Sequence, residues 1–371
     1  MMLDSIQTTK PDIMSMTQAE LAAFVSSIGE KPYRAGQLYT WMAKGCPYSE
    51  MTNLPRAFRE KLENTAEYRL PQIEERYVSA IDGTKKYLFS LIDGECVESV
   101  FMHYEHGTSL CVSSQAGCAM GCRFCASTLN GRVRNLTASE ILGQVSAVTH
   151  DTGERVDGIV MMGIGEPLDN YDNTIRFLRL VSDEKGLGIG LRHISLSTCG
   201  LVPRIYDLAG EGLPVTLSVS LHAADDDKRS ELMPINRKYK IAQLLEACRY
   251  YFNKTGRRVS FEYTLIAGKN DTDRDADHLA SVLKKGMRAP CHVNLILLNE
   301  VAETGLKKPE RVRAKEFAAQ LMQNGVNATV RRTLGSDINA SCGQLRLKKL
   351  AEREEIRSAE QNGNKTDTEN V

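Results

Sequence analysis

Residues 111–125 read CVSSQAGCAMGCRFC, and the reading of this stretch decides the fold. Its first residues close an apolar, strand-like run, and its end holds Cys118, Cys122 and Cys125 at C-x-x-x-C-x-x-C spacing. Thiolates so spaced serve iron–sulfur clusters and zinc alike. Three of them can fix three corners of a cubane 4Fe-4S cluster and leave one iron open to a further ligand. Read alone, the triplet equally fits a structural zinc or cluster site whose fourth ligand is Cys111, Cys199 or Cys342. Its position favours the open iron, because ligands on the loop after a barrel strand stand at the catalytic mouth.

Outward from this stretch, strands and helices alternate. Strand-like runs stand at CVSS (111–114), GIVMMG (158–163), HISLST (193–198), VTLSVSL (215–221), VSFEYTLI (259–266), HVNLILL (292–298) and NATVRR (327–332). Helical spacing marks ASEILGQVSAV (138–148), IYDLAGEG (205–212), IAQLLEACRYYF (241–252) and RVRAKEFAAQLMQ (311–323). Such alternation means parallel sheet, and it predicts an α/β fold with a partial (β/α)6 barrel over 105–350. Residues 1–72 carry helical periodicity, with Thr17 and Glu20 forming a capping box, and predict a small N-terminal helical domain. A short β extension is expected over 73–104, where Asp82-Gly83 and Asp93-Gly94 are hairpin turns. Residues 351–371 are polar with little to bury, and read as a disordered tail.

Composition narrows the partners. Of 371 residues, 42% are apolar and 25% charged, so collagen, coiled coil and wholesale disorder are excluded. Forty-seven basic residues cancel 47 acidic ones, so any claim for RNA has to be local. No apolar run approaches the ~20 residues of a membrane helix, and the first ten residues have no secretory pattern. Ten cysteines without a signal suggest metal or redox chemistry in the reducing cytoplasm rather than a disulfide framework. Between 304 and 349, Lys307, Lys308, Arg311, Arg313, Lys315, Arg331, Arg332, Arg346, Lys348 and Lys349 face three acidic residues, an excess that suits a phosphate track.

Seven ordered motifs then carry a resemblance. SSQAGCAMGCRFCAST (113–128), MGIGEPLDN (162–170), SLSTCGLVP (195–203), SVSLHA (218–223), LMPIN (232–236), HVNLILLN (292–299) and GSDINASCGQL (335–345) together resemble the RlmN/Cfr family. Its members are radical S-adenosylmethionine methyltransferases acting on adenosine in RNA, and the match runs from about residue 31 to 345. The resemblance implies a 4Fe-4S cluster on Cys118, Cys122 and Cys125, with S-adenosyl-L-methionine chelated to the open iron. It implies that Cys342 is methylated by one S-adenosylmethionine. A second one then supplies a 5′-deoxyadenosyl radical that takes a hydrogen from the new S-methyl group, and the methylene radical attacks the base. Cys111 corresponds to the cysteine that resolves the adduct by a transient disulfide with Cys342, and Glu98 to a proton acceptor, a role the Cys111 thiolate could also fill. Gly165, Glu166, Ser197, Ser220, Leu221, His222 and Asn299 fall on the family's S-adenosylmethionine pocket.

The chemistry is consistent with that family. Carbons 2 and 8 of adenine lack a lone pair, so they are poor acceptors of a methyl cation, whereas a carbon radical can add to them. Ala116, Ala119 and Pro167 resemble the carbon-2 branch rather than the carbon-8 branch. The resemblance implies 23S rRNA, at the peptidyl transferase centre, and the tRNA adenosine beside the anticodon as substrates. It further implies flavodoxin as electron donor and a monomer. Lys31, Tyr33, Arg34 and Trp41 in the N-terminal motif are expected to grip RNA. Leu297 stands where the family commonly has proline, and Cys46, Cys96, Cys199, Cys248 and Cys291 read as packing. Two alternatives remain: a radical enzyme acting on another substrate such as a peptide, and a cluster- or zinc-stabilised RNA-binding module.

Overall fold

The computed structural model describes residues 10–338, 340 and 345–353. Three helices open the chain: α1 (Gln18–Ser27), α2 (Tyr33–Ala43) and α3 (Arg56–Thr65). The Thr17 hydroxyl accepts from the Glu20 amide and Glu20 reaches back to the Thr17 N–H, so the expected capping box starts α1. A meander follows, with β1 (Gln72–Val78), β2 (Lys85–Ser90), β3 (Cys96–Tyr104) and β4 (Gly107–Cys111) paired antiparallel. Then comes a small hairpin of β5 (Gln115–Gly117) and β6 (Arg132–Asn135), which brackets the cysteine loop.

From there α4 (Ala138–Thr152), β7 (Gly158–Met161), α5 (Tyr171–Val181), β8 (Ile194–Thr198), α6 (Val202–Gly210) and β9 (Thr216–Ser220) alternate. The chain continues through α7 (Asp226–Leu232), α8 (Ile241–Thr255), β10 (Val259–Leu265), α9 (Asp273–Met287), β11 (Cys291–Leu297), α10 (Arg311–Gln323) and β12 (Asn327–Val330). The ten-stranded sheet runs β1-β2-β3-β4-β7-β8-β9-β10-β11-β12. From β4 to β12 every neighbour is parallel, which is the expected barrel-like half. The parallel part holds the six expected β/α units, and the run NATVRR closes it as a seventh strand, β12.

Two features bear on the site. The meander is continuous with the parallel sheet through the β3–β4 and β4–β7 pairings, and β3 lies beside the strand that leads into the cysteine loop. The N-terminal helices share one apolar cluster with the sheet, through Leu21, Leu38, Phe58, Ile141, Val145 and Leu196 among others. Helix α4 lies between the two parts and is buried from Ala138 to Val148. At Gly45 an added Cβ would stand 2.4 Å from the Ser146 carbonyl, so only glycine allows that approach. Residues 351–353 are still helical, so order runs slightly past the expected start of the tail; the tail from 354 onward lies outside the described residues.

Candidate functional site

All the parallel strands end on one side, and there a cavity of about 610 Å³ opens. Cys118, Cys122 and Cys125 line it together with Cys111, Gly165, Glu166, Ser197, Ser220, His222 and Asn299. The cysteine loop is held by its backbone. The Cys118 N–H donates to the Gly131 carbonyl (3.0 Å), Arg123 N–H to Leu232 (2.9 Å) and Cys125 N–H to Cys122 (3.1 Å). Burial pushes the Cys118 thiol up to about 12 and the Cys122 thiol well above the usual range, and the neighbouring thiols add to it at both positions. Burial raises the Cys125 thiol as well. Three thiols so placed resist ionising on their own, and a bound metal cluster is the charge that would hold them as thiolates.

Opposite the cysteines, Gly165 and Glu166 follow β7. Gly165 has φ +107°, and a Cβ there would meet the Gln115 side chain at 2.6 Å, so this turn requires glycine. The Glu166 carboxylate is buried and accepts from the Cys199 amide (2.7 Å) and the Leu168 amide (3.1 Å). Burial raises its pKa against the pull of those hydrogen bonds, so a cationic ligand group would find it a ready partner. His222 is buried in the left-handed region at φ 54°, and its Nδ1 accepts from the Thr264 amide at 2.9 Å. Its ring meets Phe124 of the cysteine loop edge-on at 4.6 Å between centroids. Burial, with the Arg229 charge behind it, pushes the His222 pKa down to about 3.

The other expected positions divide. Cys111 ends β4, lines the cavity and packs with Val100, Met102, Leu334 and Ala340. Cys342 lies outside the described residues. Its flanks are anchored: Asp337 accepts from Ser79 Oγ (2.7 Å) and the Ala80 amide (2.8 Å), and Arg346 donates from Nη2 to Glu95 (2.7 Å). Glu98 is buried on β3, bonded to Lys86 at 3.0 Å and accepting from the Arg346 amide at 2.8 Å. It is not among the residues lining the cavity, although it alternates with Val100 and Met102, which are. Leu221 packs in the apolar core and is not among the residues lining the cavity. Leu297, in place of the family's usual proline, lines the cavity as the last residue of β11.

Cys199 takes a larger part than the sequence reading gave it, and Glu262 and Arg229 escaped that reading. Cys199, read as packing, lines the cavity and orients Glu166 through its amide. Glu262 lines it too: its Oε1 accepts from Asn294 (2.9 Å), while Oε2 is buried with no hydrogen-bond partner among the described residues. Such an orphaned oxygen fits a site that takes a donor group from a ligand. Arg229 lies fully buried beneath the strand ends. Only its spacing of three from Leu232, on one face of a charged helix, could have marked it.

The N-terminal positions are partly spent inside the molecule. Arg34 pairs with Glu30 at 3.1 Å and stands over Phe58, and Trp41 donates to Asn53; Tyr33 is 62% exposed. Cys46 lies 3.8 Å from His150 Nδ1 on α4, so this thiol joins the N-terminal helices to the sheet layer.

Comparison with known proteins shows the family. A family model described as the radical SAM superfamily matches residues 112–280, and one described as the ribosomal RNA large subunit methyltransferase N-terminal domain matches residues 11–68. A protein of Clostridium botulinum (strain Eklund 17B / Type B) named "probable dual-specificity RNA methyltransferase RlmN" is 51% identical over 336 residues, covering 90% of this chain and 96% of that one. The chain belongs to the RlmN family. A likewise named relative from Alkaliphilus oremlandii is 50% identical over 342 residues, 92% of this chain and 99% of its own. The crystal structure of a radical SAM methyltransferase from Sphaerobacter thermophilus superposes with a TM-score of 0.85 at 43% identity, covering 90% of this chain and 98% of that one. No helix among the described residues is long and apolar enough to cross a membrane.

Proposed function

We propose that this RlmN-family chain methylates carbon 2 of an adenosine in 23S rRNA, and of the adenosine beside the anticodon in tRNA. The observation that carries this reading is the meeting of Cys118, Cys122, Cys125 and Cys111 with Glu166, Ser197, Ser220, His222 and Asn299 on one cavity. Cys118, Cys122 and Cys125 would hold the 4Fe-4S cluster, and the strand-end residues S-adenosyl-L-methionine. When bound, this pair supplies one-electron reduction and a carbon-centred radical; the chain supplies position and proton handling. Glu166 receives the cationic amino group. Gly165 lets the backbone approach the ligand, and Glu262 Oε2 accepts from a ligand donor.

Cys342 would be the sulfur that takes a methyl group from one S-adenosyl-L-methionine, and the radical chemistry supplied by a second would make that methyl carbon reactive toward the base. Glu98 or the Cys111 thiolate takes the proton from the target carbon. The Cys111 thiolate would then attack the Cys342 sulfur. The sulfur–sulfur bond forms as the sulfur–carbon bond to the base breaks, and the departing carbon takes up a proton to become the methyl group of the freed RNA. The cavity rim carries Lys308, Arg331 and Arg332, which face the side that RNA phosphates would approach.

Anaerobic reconstitution with S-adenosyl-L-methionine and 23S rRNA or tRNA fragments, followed by nucleoside mass spectrometry, tests the proposal. 2-Methyladenosine is expected from both RNAs. 8-Methyladenosine would overturn the choice of carbon, and no methylated adenosine would overturn the function.

A further inference from the structure

Arg229 on α7 is the one arginine that ranks among the largest fully buried side chains of the described chain. Its guanidinium is not idle. Nε donates to the Leu221 carbonyl (3.1 Å), Nη1 to Asn236 Oδ1 (2.9 Å), and Nη2 to the carbonyls of Cys199 (2.8 Å) and Ser220 (2.9 Å). All four acceptors are neutral. No carboxylate bonds Arg229 directly among the described residues. Asp226 answers it only at one remove, through Asn236, whose Nδ2 donates to Asp226 Oδ1 at 2.9 Å, so the buried positive charge is under-compensated. Arginine keeps its proton under such conditions, and an under-compensated buried charge is costly.

The surroundings show where the missing negative charge belongs. Cys199 and Ser220, whose carbonyls Arg229 holds, both line the cavity. Three residues along α7, the Leu232 carbonyl accepts from the Arg123 amide inside the cysteine loop, and Leu232 and Cys199 pack against Cys122 and Phe124. Burial pulls the Arg229 pKa down, and the thiols of Cys199 and Cys122 are the foremost groups acting against it. Resting on the cluster reading above, we propose that Arg229 is a positioning residue for electron transfer: its under-compensated charge balances the anionic cluster at Cys118, Cys122 and Cys125 and holds its reduction potential up. Three thiolates outweigh the charge of the oxidised core, and the single electron taken from the donor adds one more negative charge. A fixed cation nearby favours that reduced form.

The test is an anaerobic redox titration of the reconstituted full-length protein, followed by electron paramagnetic resonance, with iron and sulfide measured per chain. Arg229→Gln removes the charge and Arg229→Lys keeps it. Asn236→Asp gives it a carboxylate partner, at the loss of the bonds that Asn236 Nδ2 donates to Asp226 and Ser230, and is made together with Asp226→Asn so that no two carboxylates meet. At a fixed potential, Arg229→Gln and the Asn236→Asp/Asp226→Asn pair are expected to lower the ratio of reduced to oxidised cluster at least tenfold, about 59 mV for a one-electron couple. Arg229→Lys is expected to stay within about twofold of the wild type, well under the tenfold step that separates the charge states. A wild-type ratio in Arg229→Gln at full iron content would overturn the proposal, as would a shift in Arg229→Lys equal to that in Arg229→Gln. Should Arg229→Gln not fold, an unchanged ratio in the Asn236→Asp/Asp226→Asn pair overturns it. A wild-type protein that takes up no iron and sulfide overturns the parent reading and this one with it; a cluster that ignores the charge overturns this one alone.

Discussion

His222 shows how a single residue records the demands of the site. A non-glycine residue at φ 54° is held by its neighbours: its carbonyl accepts from Asn270 Nδ2 (2.7 Å) and its Nδ1 from the Thr264 amide (2.9 Å). The second bond requires a neutral ring, in agreement with the fall of its pKa from 6.5 to about 3. The consequence for stability has a fixed sign. The unfolded chain binds a proton near 6.5, whereas the folded chain excludes it until about 3, so acidification through that window favours unfolding. Asparagine tolerates the left-handed region and can keep the acceptor. Denaturant unfolding of wild type and His222→Asn should therefore diverge below pH 6.5, the wild type losing up to about 1.4 kcal/mol more per pH unit. Parallel curves would show that the ring is protonated in the fold.

At the scale of elements, the segment carrying Cys342 depends on what flanks it. Asp82 in the β1–β2 turn accepts from the Gly335 amide (2.9 Å) and the Thr84 amide (3.0 Å). Burial opposes ionisation there, yet these donors pull the carboxyl down to about 2. Asp337 answers by accepting from Ser79 and Ala80 in the same turn. A meander hairpin thus clamps the loop after β12, on the way to the thiol expected to carry the methyl group. Asp82→Ala with Asp337→Ala should slow single-turnover methylation by about tenfold to a hundredfold, because small misplacements of a reacting group are costly. Iron content should stay unchanged. Full turnover in the double variant would dissociate the clamp from catalysis.

The sequence announced the hairpin turns, the Thr17 cap and the limits of α10, since each is set by local chemistry or helical spacing. It did not announce this clamp, nor α5, α7 and α9, nor the end of β4 at Cys111 ahead of the expected run 111–114. Hydrogen bonds between positions some 250 residues apart leave no local pattern. The cysteine triplet stood out by its spacing and the strand-end residues by the family resemblance, whereas Arg229 reads as one more solvated charge in DDDKRSEL until the fold buries it.

For the molecule as a whole, balanced charge hides a local asymmetry, and the structure sorts eight of the ten basic residues between 304 and 349 that sequence alone could only count, Arg311 and Lys315 being exposed on α10. Arg346 is buried against Glu95, Lys349 pairs with Glu74 and Glu75, Lys348 with Glu352, Arg313 with Asp273 and Glu316, and Lys307 stands 3.8 Å from Glu300. Those charges are largely answered within the protein. Lys308, Arg331 and Arg332 instead stand on the cavity rim, and none of the three forms an ion pair among the described residues. Counterion release follows charges that reach phosphates, not charges already paired. Log affinity for a tRNA or rRNA fragment should therefore fall less steeply with log salt in Arg331→Ala/Arg332→Ala, by about one unit of slope per arginine, with binding weakened evenly across sequences. Arg313→Ala should leave the slope where it was. If Arg313→Ala flattens the slope as much as the rim pair does, RNA approaches over α10 rather than over the cavity mouth, and the rim is not the phosphate track.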